Sequence, residues 1–224
     1  MRIGIIGAGR IGGVLATLLT AAGHEVMLSF SRDPARLRGL ADELGDRATA
    51  GEVAEAANFG DVVVFSVPWR LVPDVLRQAG SLAGKIVIDT TNQFGPGGIE
   101  RFPDGRTAAQ VNQERMAGAR LVKTFNTLTS GFLRSEAHRE PAERRVALFL
   151  CGDDAAAKET VAGLIADCGF VPHDLGGLAD AAPMEAPRRP GAVYGEEYRP
   201  ADARAVVEAV RAGRPIPPAP AYDR

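Results

Sequence analysis

The first twelve residues, MRIGIIGAGRIG at positions 1–12, decide the fold of this chain of 224 residues. The apolar run at positions 1–6 predicts a buried β-strand, and apolar side chains recur with helical spacing from Ile11 to Ala22. Between them, the stretch GAGRIG at positions 7–12 matches the pattern G-x-G-x-x-G. A glycine loop of this pattern between a strand and a helix predicts a dinucleotide-binding βαβ unit.

Each residue of the glycine loop has an expected task. Gly7 turns the chain, Gly9 lets the backbone approach a pyrophosphate, and Gly12 lets the helix pack closely against the strand. Unpaired N–H groups at the start of the helix would bind the pyrophosphate, with Ile11 in the same turn. Arg10 is poorly matched to the positive end of the helix dipole. It is therefore either a phosphate ligand or a solvated surface arginine, and both alternatives stay open.

The residues after the second predicted strand favour NADP(H) over NAD(H). An NAD site places Asp or Glu at the tip of this strand, to accept hydrogen bonds from the ribose 2′-hydroxyl. Here Ser31 and Arg32 stand at the tip, and both can donate hydrogen bonds to a 2′-phosphate, while Arg36 adds a second cation one turn later. Asp33 could bind ribose in another register, but before Pro34 we interpret it as a helix cap.

Apolar runs and helical repeats alternate along most of the chain. Positions 62–65 and 86–88 are wholly apolar, which is typical of strands that are covered on both faces. We predict an α/β fold, a Rossmann-type doubly wound parallel sheet extended by additional strands, with a small C-terminal helical segment and tail. The predicted NADP-binding domain covers 1–178, and 179–224 is a small segment for the substrate pocket, a dimer contact or both. Additional strands are expected at 121–125, 145–151 and 170–173.

The last residues form a proline-rich tail with Pro215, Pro217, Pro218 and Pro220. This composition predicts an extended or disordered tail after a helix that spans about 200–213. Two alternatives stay open for it, a frayed terminus and an arm that reaches across a homodimer.

Composition argues for small-molecule chemistry. The formal net charge is −2, and basic and acidic residues are interspersed, so we expect neither nucleic acid nor a membrane surface as partner. Cys151 and Cys168 lie in apolar surroundings without a CxxC partner or metal-ligand spacing, so they are interpreted as buried thiols in a reducing, cytoplasmic protein with no metal site.

Polar residues follow three of the predicted strands. Ser66 follows the fourth strand, Thr91 and Asn92 follow the fifth, and Asn126 follows the sixth. The carboxyl ends of parallel strands meet at one edge, so we expect these side chains to face the ligand crevice. The alternatives are that Ser66 and Thr91 only cap turns and that Trp69 belongs to the core.

Several motifs together resemble a known family. They are GAGRIG, SR after the second strand, SVPW at 66–69, VIDTTN at 87–92, KTFNT at 123–127 and CGDD at 151–154. The chain resembles the Rossmann-type oxidoreductases that include the NADPH-dependent reductase of the deazaflavin coenzyme F420. The resemblance implies that NADPH lies across the strand ends and passes hydride from nicotinamide C4 to C5 of the deazaflavin. It also implies that Ser31 and Arg32 hold the 2′-phosphate, and that Ser66, Val67, Pro68 and Trp69 pass near the middle of the cofactor.

The expected function is that of an NADP(H)-dependent oxidoreductase, with F420 or a flavin as second substrate. The alternatives are a reductase of another small acceptor, such as a carbonyl, an imine or a ferric-flavin system, and a non-catalytic NADP(H)-binding sensor or scaffold. A flavin-like acceptor needs positioning more than a protein acid, so no catalytic residue is assigned and the three histidines are interpreted as structural or exposed. Lys123 and Lys158 remain open as candidates.

Overall fold

The structure, a computed structural model, describes residues 1–31 and 33–223. Strands and helices alternate along the chain. In chain order they are β1 (Arg2–Ile6), α1 (Arg10–Ala21), β2 (Glu25–Ser29), α2 (Pro34–Leu44), β3 (Ala48–Ala50), α3 (Val53–Phe59), β4 (Val62–Phe65), α4 (Val72–Ala79), β5 (Ile86–Asp89), β6 (Phe94–Gly95), β7 (Gly98–Ile99), α5 (Ala108–Arg115), β8 (Arg120–Lys123), α6 (Ser130–Glu136), β9 (Ala147–Gly152), α7 (Ala155–Asp167), β10 (Val171–Gly176) and α8 (Pro200–Arg211).

Eight strands form one sheet in the order β3-β2-β1-β4-β5-β8-β9-β10, and β6 and β7 form a separate hairpin. All neighbours from β3 to β8 are parallel, which confirms the predicted doubly wound sheet. Strand β9 pairs antiparallel with β8, and β10 pairs parallel with β9. The apolar pattern does not distinguish these directions, because a strand that is buried on both faces has the same sequence pattern either way.

Two apolar layers cover the two faces of the sheet. Along β4, the side chains of Val62 and Val64 join the cluster formed with α1, α2 and α7, while Val63 and Phe65 join the cluster formed with α3, α4 and α5. All four residues are fully buried. This two-sided burial explains why the strand is apolar at every position instead of alternating. Burial on both faces also fixes where the strand ends, and therefore where the loop that follows it begins.

The C-terminal segment packs onto the same sheet. Met184, Tyr198 and Val206 are buried in the cluster that contains α3 to α5, and Ile216 and Ala219 of the tail pack against that cluster. The tail is extended, as expected, but the expectation of a frayed terminus is wrong for the residues up to 223, because they are held by side-chain contacts. The domain boundary at residue 178 remains a prediction.

Helix α6 lies in a stretch in which the sequence predicted no element. Its N-cap is Thr129, whose side chain accepts a hydrogen bond from the Phe132 backbone N–H, and Leu133 is buried. Only one of its residues is fully buried, so the periodic apolar signal that predicts a helix is missing. Within residues 1–31 and 33–223, no helix combines the length and the apolar character needed to cross a membrane.

Candidate functional site

The loop between β1 and α1 can be built only with glycine at two positions. Gly7 has φ +106°, and a Cβ there would lie 2.2 Å from the Ser66 carbonyl oxygen. A Cβ at Gly12 would lie 2.0 Å from the Gly7 carbonyl oxygen. Both distances are far below van der Waals contact. The tight turn and the close packing expected of these glycines are therefore present, and the turn brings Ser66 beside the loop.

Gly9 differs from its neighbours because nothing lies within 4 Å of a Cβ built on it. It is the N-cap of α1, and in the described part of the chain no side chain caps this helix. Its first N–H groups therefore lack side-chain acceptors at an open surface, which is the arrangement that binds a phosphate. Arg10 is exposed beside them and forms no ion pair with a described residue.

At the end of β2, the Asp33 carboxylate caps α2 by accepting hydrogen bonds from the Ala35 and Arg36 backbone N–H groups at 3.0 and 3.1 Å. The interpretation of Asp33 as a cap is confirmed, and this carboxylate oxygen is no longer free for a ribose hydroxyl. The Ser31 hydroxyl oxygen accepts from the Asp33 N–H at 3.2 Å and stays at the strand tip. Arg32 lies outside the described residues.

A groove of about 660 Å³ runs over α1 between α2 and α6. Arg10 and Arg36, both expected to bind the cofactor, line it together with Arg134 of α6, and none of the three forms an ion pair with a described residue. Sequence reasoning missed Arg134, because it lies on a helix that was not predicted. The groove begins at Gly9, so these cations share one surface with the open N-terminus of α1.

The segment after β4 divides into two environments. Ser66 is half-buried, and its N–H donates to the Ile6 carbonyl at 2.8 Å, so it extends the sheet beside the glycine loop. The next residue, Val67, is buried, and Pro68 is exposed. Trp69 is buried, and its indole N–H donates to Glu100 at 2.6 Å. Its ring also contacts Arg115 and Phe102. The structure places Trp69 within this packed cluster and away from the two cavities that adjoin the glycine loop.

Asn92 and Asn126, which follow β5 and β8, are hydrogen-bonded to each other. The Asn92 amide donates to the Asn126 carbonyl at 2.9 Å, and the Asn126 amide donates to the Asn92 Oδ1 at 3.1 Å and to the Met184 carbonyl at 2.7 Å. The Asn126 Oδ1 is buried and finds no partner in the described part of the chain. Both asparagines line a cavity, so this oxygen is an acceptor available to a ligand.

A buried ion pair lies beneath these asparagines. The side chains of Lys123 and Asp89 are both 0% exposed and approach to 3.1 Å, and the Lys123 ammonium also donates to the Thr91 carbonyl at 2.6 Å. The Thr91 hydroxyl accepts from Asn112 and is buried, so Thr91 belongs to this network, and Thr90 reaches the cavity instead. Lys123 is therefore a structural group with no access to a substrate.

A second cavity, which we call the sheet-edge cavity, has a volume of about 600 Å³. Its walls come from the glycine loop, the ends of β5 and β8, the start of α6, the segment 188–197 and the tail. The lining residues are Ile11, Thr90, Asn92, Phe125, Asn126, Thr127, Leu128, Thr129, Phe132, Arg188, Tyr194, Gly195, Glu196, Glu197, Ala219, Pro220 and Tyr222.

Sequence reasoning missed the aromatic wall of the sheet-edge cavity. Phe132 follows a predicted strand only after a polar stretch, and Tyr194 and Tyr222 lie where no periodic pattern remains. The sequence contained one sign of this wall in its composition, because all three tyrosines of the chain fall between residues 194 and 222. Clustering of tyrosine in an otherwise irregular segment is typical of a surface that packs against a partly polar ligand.

The remaining titratable groups offer no nucleophile. Burial raises the pKa of the Cys151 thiol far above its ordinary value and that of Cys168 to about 12, so both stay protonated at neutral pH. Burial lowers the pKa of His173, which lies apart from both cavities. Lys158 pairs with Asp174 at 2.8 Å. Across residues 1–31 and 33–223, no group of three or more His, Cys, Asp or Glu side chains could hold a metal ion.

Residues 2–93, which include the glycine loop, Ser66 and Asn92, match the family model for "NADP oxidoreductase coenzyme F420-dependent". A solved structure from Arthrobacter sp. FB24, provisionally assigned as an F420-dependent NADP reductase, is 26% identical with a TM-score of 0.67. The alignment covers 81% of this chain and 87% of that one.

The match covers the N-terminal part of the chain, and the family that it describes is one of NADP-dependent oxidoreductases. A hypothetical protein from Sinorhizobium meliloti has the same fold almost throughout, with 33% identity and a TM-score of 0.77 over 89% of this chain and 95% of that one.

A curated relative of this chain is the metalloreductase STEAP3 of Rattus norvegicus, which is 31% identical over 185 residues. The alignment takes in 83% of this chain but 36% of STEAP3. The chain therefore spans about a third of that relative's length.

Proposed function

We propose that this chain transfers hydride from NADPH to coenzyme F420 or a flavin-like acceptor. The observation that carries the proposal is the sheet-edge cavity, which begins at Ile11 of the glycine loop and ends in an aromatic wall. A cavity of about 600 Å³ at the carboxyl edge of a parallel sheet is a typical site for a flat ring system. The match of residues 2–93 to a family model of NADP oxidoreductases supports NADP(H) as the donor.

The described residues offer contacts for three parts of NADPH. The space over Gly9 and the uncapped start of α1 suit the pyrophosphate. The strand tip at Ser31, with Arg36 beyond it, suits the 2′-phosphate. The unpartnered Asn126 Oδ1 suits the amide group of the nicotinamide, which carries two N–H donors.

When bound, NADPH supplies a hydride from C4 of its nicotinamide ring. The chain contributes binding and orientation. Asn92 and Asn126 are locked to each other and to the Met184 carbonyl, so they present fixed polar groups to the two reacting rings. Phe125, Leu128 and Phe132 line the cavity with apolar surface, which excludes water from the reacting atoms.

A second candidate function is reduction of a small carbonyl or imine with the same donor. The observation in its favour is Tyr194, which lines the cavity and whose hydroxyl has no hydrogen-bond partner among the described residues. A ketone or imine needs a protein group close to the atom that receives the proton.

The first test compares thermal unfolding with NADPH and with NADH. Ligand at one hundred times its Kd stabilises the native state by about 2.7 kcal/mol, so a preferred cofactor produces the larger shift. We expect the larger shift with NADPH. Arg32→Asp should reduce the NADPH shift much more than the NADH shift. Equal shifts in the unmodified protein would contradict the 2′-phosphate argument.

The second test measures NADPH oxidation with F420, FMN, a cyclic ketone and a cyclic imine. Turnover with F420 or FMN alone supports the first candidate, and turnover with the ketone or imine alone supports the second. NADPH binding without turnover in any of the four reactions would instead indicate a sensor or scaffold.

A further inference from the structure

Tyr194 stands apart from the other two tyrosines of the chain. The Tyr198 hydroxyl donates to the Pro217 carbonyl at 3.0 Å. The Tyr222 hydroxyl donates to Asp202 at 2.6 Å and accepts from the Arg199 N–H. For Tyr194, no described residue receives or supplies a hydrogen bond at the hydroxyl. A half-buried phenol without a partner is available to a ligand.

The backbone around Tyr194 is fixed against the site. Its N–H donates to the Pro183 carbonyl at 3.2 Å, and the next N–H, of Gly195, donates to the Thr127 carbonyl at 2.8 Å. Thr127 follows Asn126 directly, so the hydrogen bond ties Tyr194 to the strand end that carries the proposed nicotinamide contact. Both Tyr194 and Asn126 line the sheet-edge cavity.

The other charged or titratable groups of this cavity are already paired. Glu196 pairs with Arg188 at 2.6 Å, and Glu197 pairs with Arg139 at 2.6 Å. The strand ends contribute Thr90, Asn92 and Asn126, which do not titrate. The Tyr222 hydroxyl is held by Asp202. Tyr194 is therefore the lining side chain with a proton to give and no protein group competing for it, within the described part of the chain.

We propose that Tyr194 donates a hydrogen bond, and then its proton, to the acceptor oxygen or nitrogen that gains electrons during reduction. The inference rests on the proposed function and deepens it, because it names the group that completes the reduction. A flavin or deazaflavin ring, a ketone and an imine share the required chemistry, since each has such an atom conjugated to the atom that receives hydride.

In the hydride transfer, the C4–H bond of the dihydronicotinamide breaks, and the hydrogen moves with its electron pair to form the new bond on the acceptor, which leaves NADP⁺. A π-electron pair of the acceptor moves to its oxygen or nitrogen, which takes the proton from the Tyr194 Oη. Water then returns a proton to the tyrosinate. Burial raises the pKa of Tyr194 above its ordinary value of 10, so the phenol is protonated at neutral pH and can begin the cycle.

The test compares Tyr194→Phe with Tyr198→Phe. Both changes remove one phenol oxygen from the same segment, but only Tyr194 lines the sheet-edge cavity. Each variant is assayed for NADPH affinity by cofactor fluorescence, and for kcat with F420, FMN, a cyclic ketone and a cyclic imine. Loss of a general acid lowers kcat by about 100-fold or more, which we expect for Tyr194→Phe with its NADPH affinity unchanged.

The pH profile separates proton donation from a structural effect. In the unmodified protein kcat falls as pH rises through the raised pKa of Tyr194, because the phenol must be protonated. Tyr198→Phe should keep this fall, and Tyr194→Phe should lack it. Equal kcat in Tyr194→Phe and the unmodified protein, or a loss matched by weaker NADPH binding, would overturn the inference and leave the proposed function intact. NADPH binding with no turnover of any acceptor would overturn the proposed function itself.

Discussion

Gly9 and Gly12 show how two residues of one motif act through different physics. A Cβ at Gly12 would overlap the Gly7 carbonyl of the folded chain, whereas a Cβ at Gly9 meets only open space. Gly12 is therefore required by the fold, whereas we propose that Gly9 leaves room for the pyrophosphate of the cofactor.

This difference predicts opposite outcomes for two alanine variants. Gly12→Ala should lower the free energy of unfolding by about 1–3 kcal/mol, the usual cost of overpacking. Gly9→Ala should leave unfolding nearly unchanged and weaken NADPH binding by about tenfold, or 1.4 kcal/mol. Urea unfolding and NADPH titration of both variants check this. A destabilised Gly9→Ala with normal NADPH affinity would contradict the assignment of the pyrophosphate.

Lys123 is the residue whose role the structure changed most. Its charge is fully buried against Asp89, and its second contact, the Thr91 carbonyl, fixes the backbone that leads into Asn92. Lys123→Met should cost about 3–5 kcal/mol of stability, because it leaves the Asp89 carboxylate buried without its counter-ion.

The matched control for Lys123 is the double variant Asp89→Asn with Lys123→Met, which removes both charges. It should recover part of the lost stability in urea unfolding. If the double variant is no more stable than Lys123→Met, the loss comes from the Thr91 contact and not from the unpaired charge.

At the scale of elements, the Asp154 carboxylate links the start of α7 to β8. Asp154 caps α7 by accepting a hydrogen bond from the Ala157 N–H at 2.8 Å. It also forms a bidentate salt bridge with Arg120, in which both N–O distances are 2.8 Å. The Arg120 hydrogen bonds, followed by the helix cap, lower the pKa of Asp154 to about 2. The helix start therefore depends on the ionised form of this group.

The lowered pKa of Asp154 predicts a pH dependence of stability. In the unfolded chain the carboxyl titrates near its ordinary value of 3.8. Its contribution is therefore complete above that value and is lost as pH falls through about 2. Asp154→Asn should be less stable than the unmodified protein at pH 7, and the difference should disappear near pH 2. Urea unfolding across this range measures it, and a difference that is constant with pH would show that the charge contributes nothing.

At the scale of the whole molecule, the tail completes the cavity that the sheet begins. Tyr222 is tied to Asp202 and stacks under the Arg199 guanidinium at 4.1 Å, while Ala219 and Pro220 line the sheet-edge cavity. The proposed NADPH site lies on the glycine loop, far along the chain from these residues. The two halves of the site can therefore be changed separately.

Deleting residues 214–224 tests this separation. The NADPH-induced thermal shift should persist, because the glycine loop and the strand ends remain. The KM for the acceptor should rise by about tenfold, because one wall of its pocket is gone. Tyr222→Phe, which weakens the attachment without removing the wall, should show a smaller rise in KM. Loss of the NADPH shift on deletion would mean that the tail supports the cofactor site as well.

The sequence by itself determined the features that depend on neighbouring residues. The glycine loop, the cap at Asp33 and the fully buried strand β4 all follow from patterns a few residues long, and each is present in the structure. Such features depend on backbone conformation, local hydrogen bonds and apolar periodicity, which a short window of sequence contains.

Only the tertiary structure decided which side chains meet. Thr90, and not Thr91, lines the cavity, and Lys123 is buried against Asp89. Strand β9 runs antiparallel to β8, and Tyr194, from an irregular segment, lies at the strand end near Asn126. The physical reason is that these contacts join residues far apart in the chain. Their partners are selected by the packing of the whole sheet, and no local pattern records that packing.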